Sequence, residues 1–421
     1  MVFTTLAHHI DIDFLREAHR RTRKDGATGV DGQTAEAYAE HLEENLQDLL
    51  NRFKSGTYRA PPVKRAHIPK GDGSKTRPIG IPSFEDKVLQ RAVTMVLEAV
   101  YEEDFLDCSY GFRPDRSAHQ ALEALWEGLM KMGGGWVLDV DIKGYFDNID
   151  PAHLRSFLDL RVRDGVLRRA MGKWLKAGVM ESGQVSYPEL GTPQGGVISP
   201  LMANIYLHEV LDKWFEQEVV PRLQGRAFLV RYADDFVIVF DFEHDARRVL
   251  DVLKKRLGRF GLSIHPEKTR LVDFRRPPPQ QGGSGRGSFD LLGFTHFWGR
   301  SRKGKWVVKK KTAKDRFSRT SKRFADWCSR NRHLPVREQH EKICRALQGH
   351  DAYYGVTGNW HALYSLRGVV ARIWRKWLDR RSRKAKMTWD KFARLLQRYP
   401  LTEARVVHTV YGRQLTLPIR A

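Results

Sequence analysis

The chain has 421 residues, 41% of them apolar, and a formal charge of +23 from 73 Lys and Arg against 50 Asp and Glu. This composition excludes a largely disordered chain, and the length predicts two or three hydrophobic cores. No run of about 18 apolar residues and no N-terminal signal segment occur, so we expect a soluble protein of the cytoplasm. The three cysteines form no Cys-x-x-Cys pair, which argues against a disulfide framework and a zinc knuckle.

The N-terminal part is predicted to be mostly helical, with one extended stretch. Apolar residues recur every three to four positions in the first part of the chain, interrupted by a Gly-rich loop at residues 24–32. Residues 60–82 are rich in Pro and Gly and are expected to be extended. Ser83 is a typical N-cap and predicts that a helix with a buried apolar stripe follows it.

Three strands are predicted downstream, at residues 136–142, 228–232 and 236–240. Between them, Ser199 and Pro200 predict a helix that begins with Ser as its cap and Pro in its first turn. Strands and helices in this order indicate an α+β core followed by an all-helical C-terminal region.

Two adjacent carboxylates, Asp234 and Asp235, lie between two of these predicted strands. We therefore expect them at the tip of a hairpin that is anchored in the core. Two neighbouring negative charges repel each other unless a cation neutralises them. A plain surface turn is the alternative, and the apolar strands on both sides argue against it.

A third carboxylate is available in the strand at residues 136–142. Alternation along a strand places Asp139 and Asp141 on one face, and either of them could meet the hairpin tip. Magnesium prefers oxygen ligands and commonly uses one or two carboxylates together with substrate phosphate. Two such ions about 3.5–4 Å apart would suit phosphoryl transfer to a 3′-hydroxyl.

The positive charge is concentrated at the C-terminal end. Residues 300–421 carry 32 Lys and Arg against 8 Asp and Glu, a net charge of +24, whereas residues 1–299 carry −1. Trp residues are interleaved with these cations, so the region can attract a polyanion and stack on unpaired bases. We expect it to bind nucleic acid. Membrane-surface binding is disfavoured, because basic and apolar residues do not separate along one amphipathic segment.

Several motifs resemble those of reverse transcriptases, in the same order along the chain. Tyr232-Ala233-Asp234-Asp235 resembles their Tyr-x-Asp-Asp box, and residues 141–149 resemble their first catalytic box, in the form found in bacterial group II intron proteins. Four further motifs fall in the expected order, at residues 75–82, 110–114, 191–196 and 265–269. The resemblance extends over nearly the whole chain.

The resemblance implies an α+β fold of the right-hand polymerase type. Residues 1–135 would form an N-terminal extension and the fingers, and residues 136–295 the palm with its antiparallel sheet and part of the fingers. Residues 296–421 would form a helical thumb and a maturase-like, basic region that binds RNA and DNA. The activity implied is RNA-directed DNA polymerisation, a nucleotidyl transfer that requires two Mg²⁺ ions, with Mn²⁺ as a substitute.

The resemblance also assigns roles to individual residues. It selects Asp141 over Asp139, so that Asp141, Asp234 and Asp235 are the catalytic triad and bind the metal ions together with Ile142. The residues implied to bind the incoming deoxynucleotide are Lys75, Arg77, Phe146 and Gln194. Lys268 matches a general acid for pyrophosphate, and the segment that grips the primer corresponds to Leu291, Gly293 and Phe294. Each assignment has a structural alternative: solvated loop charges for Lys75 and Arg77, core packing for Phe146, an ordinary helix-entry turn for Gln194, a surface salt bridge for Lys268, and a short buried strand for residues 291–294.

The C-terminal region indicates the subtype. Residues 353–360 and 374–377 resemble the maturase region of intron-encoded proteins, which implies a structured group II intron RNA, an RNA template, a DNA or RNA primer and target DNA as partners. We expect splicing and retrohoming to depend on this region, a location in the bacterial cytoplasm or at the nucleoid, and no Cys-rich endonuclease domain. The alternative is a related reverse transcriptase repurposed for defence, repair or CRISPR adaptation, with a different RNA. An RNA-binding splicing factor with a vestigial polymerase site is less well supported, because the carboxylate set is intact.

Overall fold

The computed structural model describes residues 1–70, 75–181, 184–187, 195–280, 285–382 and 386–409, without the side chains of Lys70 and Lys75. The chain divides into two compact units. The first contains residues 1–128 and 135–271, and the second contains residues 129–134 and the chain from residue 272 onward. Helix α5 (Ala118–Met132) and strand β8 (Arg270–Asp273) cross the divisions between them.

The first unit contains most of the helices. In chain order they are α1 (Ile12–Arg21), α2 (Ala35–Glu40), α3 (Leu42–Ser55), α4 (Phe84–Tyr101), α6 (Pro151–Asp159), α7 (Gly165–Leu175), α8 (Ser199–Leu207) and α9 (Glu243–Arg259). Short polar side chains begin several of them as N-caps. The Ser83 hydroxyl accepts a hydrogen bond from the Asp86 amide, and Asp164 accepts bonds from the amides of Val166 and Leu167.

Two four-stranded sheets complete the first unit. One has the order β2-β1-β4-β5, and the other has the order β6-β7-β3-β8. Their remaining strands are β1 (Val63–Lys70), β2 (Lys75–Ile81), β3 (Trp136–Asp141), β4 (Val179–Glu181), β5 (Gln184–Ser186), β6 (Ala227–Tyr232) and β7 (Asp235–Phe240). Antiparallel pairing joins β3 to β7 and β7 to β6, with the helices packed around a single large core. Buried apolar side chains of β3 and β7 therefore anchor the strand ends at which the predicted carboxylates lie.

The second unit begins with a sheet and continues as helices. Its antiparallel sheet has the order β11-β10-β9. Its elements are β9 (Ser288–Leu291), β10 (Phe294–Arg300), β11 (Trp306–Thr312), α10 (Lys314–Arg330), α11 (Val336–Tyr354), α12 (Trp360–Asp379) and α13 (Trp389–Arg398). The four helices share a core of their own, which includes Cys328, Leu347 and Trp374.

Most sequence-based predictions of elements are confirmed, including the strands on either side of Asp234 and the helix after Ser83. Two are wrong. Ser199 is the first residue of α8 and not its N-cap, which is Ile198, and Gln90 Oε1 accepts from the amide of Val197 just before the helix, at 2.8 Å. The region predicted to be all-helical from residue 296 starts with β10 and β11, and its first helix begins only at Lys314.

None of the helices in the described part of the chain combines the length and the apolar character needed to cross a bilayer.

Candidate active site

The candidate site lies at the β6–β7 hairpin and the neighbouring end of β3. Tyr232 pairs with Asp235 across the hairpin, which leaves Ala233 and Asp234 as a two-residue turn. On the other side of β7, Asp235 pairs directly with Asp141 at the end of β3. Directly opposite residues in an antiparallel pair have their Cβ atoms about 4.5–5.5 Å apart. The fold therefore brings the three predicted carboxylates to one end of one sheet.

The hairpin turn is tight and conformationally demanding. Ala233 has a φ angle of 56°, an uncommon conformation for a residue with a side chain. The backbone of Gly111 lies against this turn so closely that a Cβ atom at Gly111 would clash with the Ala233 amide nitrogen. The requirement for glycine in the motif at residues 110–114 thus comes from its packing against the turn that carries Asp234.

A fully buried ion pair supports the Ala233–Asp234 turn from the protein interior. The Arg231 guanidinium donates from Nε and Nη2 to the two carboxylate oxygens of Asp212, at 2.8 and 2.5 Å. Its Nη1 atom donates to the Ala233 carbonyl and to Asn204 Oδ1, both at 3.0 Å. The Asn204 amide in turn donates to the Gly111 carbonyl at 2.6 Å. One network therefore fixes the turn and the segment packed against it.

The two aspartates of β3 have different partners. Lys268 Nζ lies 3.0 Å from Asp141 Oδ2, and Arg270 Nη2 lies 3.1 Å from Asp139 Oδ2. The motif at residues 265–269 is held beside β3 because the His265 amide donates to the Asp141 carbonyl at 2.8 Å. Lys268, predicted as a general acid, is thus placed directly on a predicted metal-binding carboxylate. Only Asp141 of the two pairs across the sheet with the hairpin carboxylates.

Electrostatic coupling also indicates that the predicted residues converge. Burial raises the pKa of Asp234, and the nearby Asp141 carboxylate raises it further, whereas Arg77 and Arg231 oppose this shift. Arg77 lies on β2 and is exposed. Its side chain therefore acts on the hairpin carboxylate from a second sheet of the same unit.

The backbone next to Asp141 supplies a further oxygen. Ile142 forms an antiparallel bridge with Ile264, flanked by hydrogen bonds from Lys143 N–H to Ser263 and from His265 N–H to Asp141. This is the pattern of a non-hydrogen-bonded pair, in which the carbonyl of Ile142 points away from residue 264. The Ile142 carbonyl is therefore directed toward the side of β3 on which β7 and the hairpin lie.

The donor set fits a divalent metal ion chemically. The carboxylates of Asp141, Asp234 and Asp235 and the carbonyl of Ile142 are hard oxygen ligands, which Mg²⁺ prefers. The Asp141 carboxylate raises the pKa of Asp234, and this repulsion is what a cation would relieve. As the described side chains are oriented, no three His, Cys, Asp or Glu groups form a ready-made metal cluster. The ammonium group of Lys268 is the cation that contacts Asp141 here.

Phe146 follows β3 in a short 3-10 helix at residues 145–148. Its ring is partly buried and lies 5.4 Å from the ring of Tyr145. Tyr145 is fully enclosed and donates its hydroxyl to the Ala203 carbonyl at 2.5 Å. The partly buried Phe146 ring is thus attached to a short helix that the buried Tyr145 anchors in the core.

Two predicted nucleotide-binding residues are incompletely described. Lys75 begins β2, and its side chain lies outside the described residues. Gln194, with most of the motif at residues 191–196, also lies outside the described residues.

The predicted primer-grip segment belongs to the second unit. Leu291 and Phe294 end β9 and begin β10 and pair with each other across the turn, and Gly293 has a φ angle of 81° in that turn. The rings of Tyr353 and Tyr354 lie 5.8 and 5.2 Å from the Phe294 ring. The Tyr353 hydroxyl donates to the Leu292 carbonyl at 2.8 Å. The predicted primer-grip segment is therefore held in place by contacts with Tyr353 and Tyr354, which belong to the predicted maturase-like motif.

The network of Arg231, Asp212 and Asn204 was missed by sequence reasoning. A signal was present, because an arginine inside an apolar strand must find a partner when it is buried. The partners lie 19 and 27 positions away along the chain, so the sequence alone does not identify them.

An antiparallel sheet that carries Asp141 next to a Tyr-x-Asp-Asp hairpin is the arrangement implied by the resemblance to polymerases of the reverse transcriptase type. The family model "Reverse transcriptase (RNA-dependent DNA polymerase)" matches residues 68–296. The chain therefore belongs to the reverse transcriptase family.

Several curated proteins are similar to this chain. The group II intron-encoded protein LtrA of Lactococcus lactis subsp. cremoris is 42% identical over 221 residues, which cover 51% of this chain and 36% of LtrA. Protein YkfC of Escherichia coli (strain K12) is 36% identical over 300 residues, covering 62% of this chain and 76% of YkfC. Nuclear intron maturase 2, mitochondrial, of Arabidopsis thaliana is 29% identical over 232 residues, or 46% and 30% of the two chains. The alignment with LtrA covers only about a third of that protein's length.

Proposed function

We propose that this protein is an RNA-directed DNA polymerase that also binds group II intron RNA as a maturase. The observation that carries the first part is the pairing of Asp141 with Asp235 across β3 and β7, with Asp234 in the adjoining turn. In the proposed reaction the primer 3′-oxygen forms a bond to the α-phosphorus of a deoxynucleoside triphosphate. The bond from that phosphorus to the bridging oxygen breaks, and pyrophosphate leaves.

Asp141 and Asp234 would hold two Mg²⁺ ions, with the Ile142 carbonyl and Asp235 as additional oxygen ligands. When bound, such ions lower the pKa of the attacking hydroxyl and neutralise the charge that develops on the leaving group. The chain itself supplies the positioning. The Arg231–Asp212 pair fixes the hairpin turn, and the pairing of β3 with β7 fixes the distance between the carboxylate-bearing backbones.

The incoming nucleotide would lie between the hairpin and β2. Arg77, which lowers the pKa of Asp234, is close enough to hold a triphosphate bound at these carboxylates, and Lys75 and Gln194 would complete that site. The ring of Phe146 would exclude a ribose 2′-hydroxyl. Lys268 would move from Asp141 to the pyrophosphate and give it a proton as the bond breaks.

The regions of the right-hand polymerase would follow the predicted boundaries. Residues 1–135 would supply the N-terminal extension and fingers, residues 136–295 the palm, and residues 296–421 the thumb and maturase-like region. Leu291, Gly293 and Phe294 would grip the primer, because tyrosines of α11 hold this turn in a fixed conformation.

The maturase part of the proposal rests on the surface of the C-terminal helices. Trp360 and Tyr364 stack on each other at 5.0 Å on α12, and both remain exposed. Trp389 is exposed as well and carries the Arg375 guanidinium 4.1 Å from its ring centre. Exposed aromatic rings among many cations suit the unpaired bases and phosphates of a structured RNA. The intron-related names of LtrA and of the Arabidopsis protein support an intron RNA over a defence-related RNA.

Primer extension on an RNA template with deoxynucleotides and Mg²⁺ tests the polymerase. Asp234→Asn should abolish cDNA synthesis and leave RNA binding nearly unchanged. Asp139→Asn is the matched control, because Asp139 lies on the same face of β3 but pairs with Arg270. We expect it to retain most of the synthesis. No cDNA from the unaltered protein across a Mg²⁺ and salt series would refute the polymerase proposal.

Sequencing the RNA that copurifies with the protein tests the maturase part. One long structured transcript that contains the coding region is the expected result, and a short non-coding RNA would favour the defence-related alternative.

A further inference from the structure

A large cavity lies in the first unit, away from the carboxylates. Its volume is about 730 Å³, and its walls come from α6, α7, the segment before β1 and the end of β5. Among the residues that the structure describes, those assigned above to catalysis, metal binding or nucleotide binding do not line this cavity. A cavity of this size is typical of a site for a small molecule or for a short part of a larger one.

Within the described part of the chain, six cationic side chains line this cavity, against a single carboxylate, that of Asp159. The six are Arg59, Arg155, Arg168, Arg169, Lys173 and Lys176. This concentration is local, since residues 1–299 as a whole carry a net charge of −1. The general basicity of the protein lies in the C-terminal region and does not account for it.

Contacts within the fold account for only part of this charge. Arg168 pairs with Asp159 at 2.7 Å, and Lys173 donates to the Gly56 carbonyl at 2.7 Å, where it caps the end of α3. The side chains of Arg59, Arg155, Arg169 and Lys176 are exposed, and none of them makes a hydrogen bond or ion pair to another residue in the described part of the chain. They come from three separate segments, so their charges are spread around the cavity.

The cavity also has an aromatic ring at its edge. Tyr187 is 72% exposed, and its ring lies over Gly178, where a Cβ atom would be 2.9 Å from it. The absence of a side chain at Gly178 is what leaves room for the Tyr187 ring here. An exposed ring beside spread positive charge suits a base and the phosphates that flank it.

We propose that this basic cavity, lined by Arg59, Arg155, Lys176 and Tyr187, binds a single strand of nucleic acid at a site separate from the catalytic carboxylates. The three cations contact successive phosphates, and Tyr187 stacks on a base. A single strand fits better than a duplex, because a duplex conceals the faces of its bases. Several cations on separate segments also fit a chain of phosphates better than the one phosphate cluster of a free nucleotide.

Photocrosslinking tests this proposal on the full-length protein. A 12-nucleotide oligo(U) RNA that contains 4-thiouridine, and an oligo(dT) counterpart with 4-thiothymidine, are irradiated with the protein, and the crosslinked peptides are identified by mass spectrometry. We expect a crosslink at Tyr187. Its yield as a function of oligonucleotide and KCl concentrations gives the affinity of this site alone, separate from binding by the C-terminal region.

The variant Arg59→Gln/Arg155→Gln/Lys176→Gln removes three of these four cations, one from each of the three segments. The matched control is Arg248→Gln/Lys255→Gln/Arg259→Gln, which removes three exposed cations of α9 that do not line the cavity. For single strands the slope of log affinity against log salt is about −0.7 per neutralised phosphate, so the first variant should flatten the slope by about 2. The control should leave it unchanged. If the triple variant does not melt like the unaltered protein, Arg155→Gln and Lys176→Gln alone should each flatten the slope by about 0.7.

Three results would overturn the proposal. They are the absence of a crosslink at Tyr187, an equal loss in the cavity and control variants, and displacement of the oligonucleotide by free dTTP or UTP at an equal concentration of nucleotide units. The last result would identify a mononucleotide site. Primer extension with the same preparations keeps this test separate from the proposed function, because Asp234→Asn should stop synthesis without changing the crosslink at Tyr187.

Discussion

Removal of one partner of the Arg231–Asp212 pair should destabilise the hairpin that carries Asp234. Both side chains are completely shielded from solvent, and the guanidinium meets both carboxylate oxygens. Burial raises the pKa of Asp212, and the guanidinium lowers it, so the carboxylate depends on Arg231 for its charge. Loss of one partner of such a buried pair typically costs about 3–5 kcal/mol, because the other charge is left uncompensated. We expect Asp212→Asn to fall in this range.

The same hairpin provides a control at its other end. Arg226 and Asp241 form an ion pair with Nε 2.9 Å from Oδ2, and the Arg226 side chain is 62% exposed. Exposed pairs contribute little, since water solvates both charges and salt screens them. Asp241→Asn should therefore change stability much less than Asp212→Asn. The two variants are matched, because each replaces a carboxylate that forms an ion pair with an arginine of this hairpin.

Native-state hydrogen exchange is the appropriate assay, because it reports the free energy of opening for individual amides of β6 and β7. Amides of residues 229–232 and 236–239 should lose protection in Asp212→Asn and keep it in Asp241→Asn. The double variant Arg231→Met/Asp212→Leu replaces both charges by apolar groups and should recover part of the lost protection. Equal effects of Asp212→Asn and Asp241→Asn would refute the argument that burial makes the inner pair essential.

Three further changes address the site and its surroundings. Phe146→Ala should increase the incorporation of ribonucleotides relative to deoxynucleotides in primer extension, and unchanged sugar selectivity would make Phe146 a packing residue only. Lys268→Ala should slow single-turnover nucleotide addition, with little effect on thermal stability since the pair with Asp141 is exposed. An unaltered rate of addition would contradict a proton-donor role. Burial lowers the pKa of His208 to about 3, assisted by the positive charges of Lys213, Arg231 and Arg113. The unfolded chain therefore binds more protons than the folded one below pH 6.5, so stability should fall as the pH drops from 6.5 toward 3, by up to about 4 kcal/mol. His208→Phe should flatten urea-unfolding midpoints over that range, and an unchanged pH dependence would refute this assignment.

The local part of the site could be predicted from the sequence, because its signals are local. Apolar strands on both sides of Asp234 and Asp235 are sufficient to predict a hairpin, and alternation along β3 places Asp139 and Asp141 on one face. The sequence alone could not choose between these two aspartates. The strand pairing distinguishes them, because Asp141 lies opposite the hairpin carboxylate Asp235 whereas Asp139 lies opposite Val237.

The predictions that failed depended on contacts that are distant in sequence or on atypical residues in strands. Ser199 is a typical capping residue, but α8 already begins at Ser199, and the segment before it is held by Gln90 of α4, which accepts from the Val197 amide. Strand β11 alternates its buried positions through Trp306, Val308, Lys310 and Thr312, and the inward lysine conceals the pattern of a strand. The basic cavity likewise could not be predicted from the sequence, because Arg59, Arg155 and Lys176 are brought together only by the packing of α6 and α7 beside β1 and β4.

The most direct test of the central claim is iron-mediated cleavage of the protein with Fe²⁺ in place of Mg²⁺, in the presence of ascorbate and peroxide. Carboxylates from two strands that share divalent ions should direct backbone cleavage to two segments, near residues 139–143 and 232–236, and excess Mg²⁺ should suppress both cuts. Asp234→Asn should abolish the pair of cuts together, while Asp139→Asn should retain them. Two results would show that Asp141 and Asp234 do not hold the same ions. One is cleavage of the unaltered protein at only one segment, and the other is the loss of only one of the two cuts in Asp234→Asn.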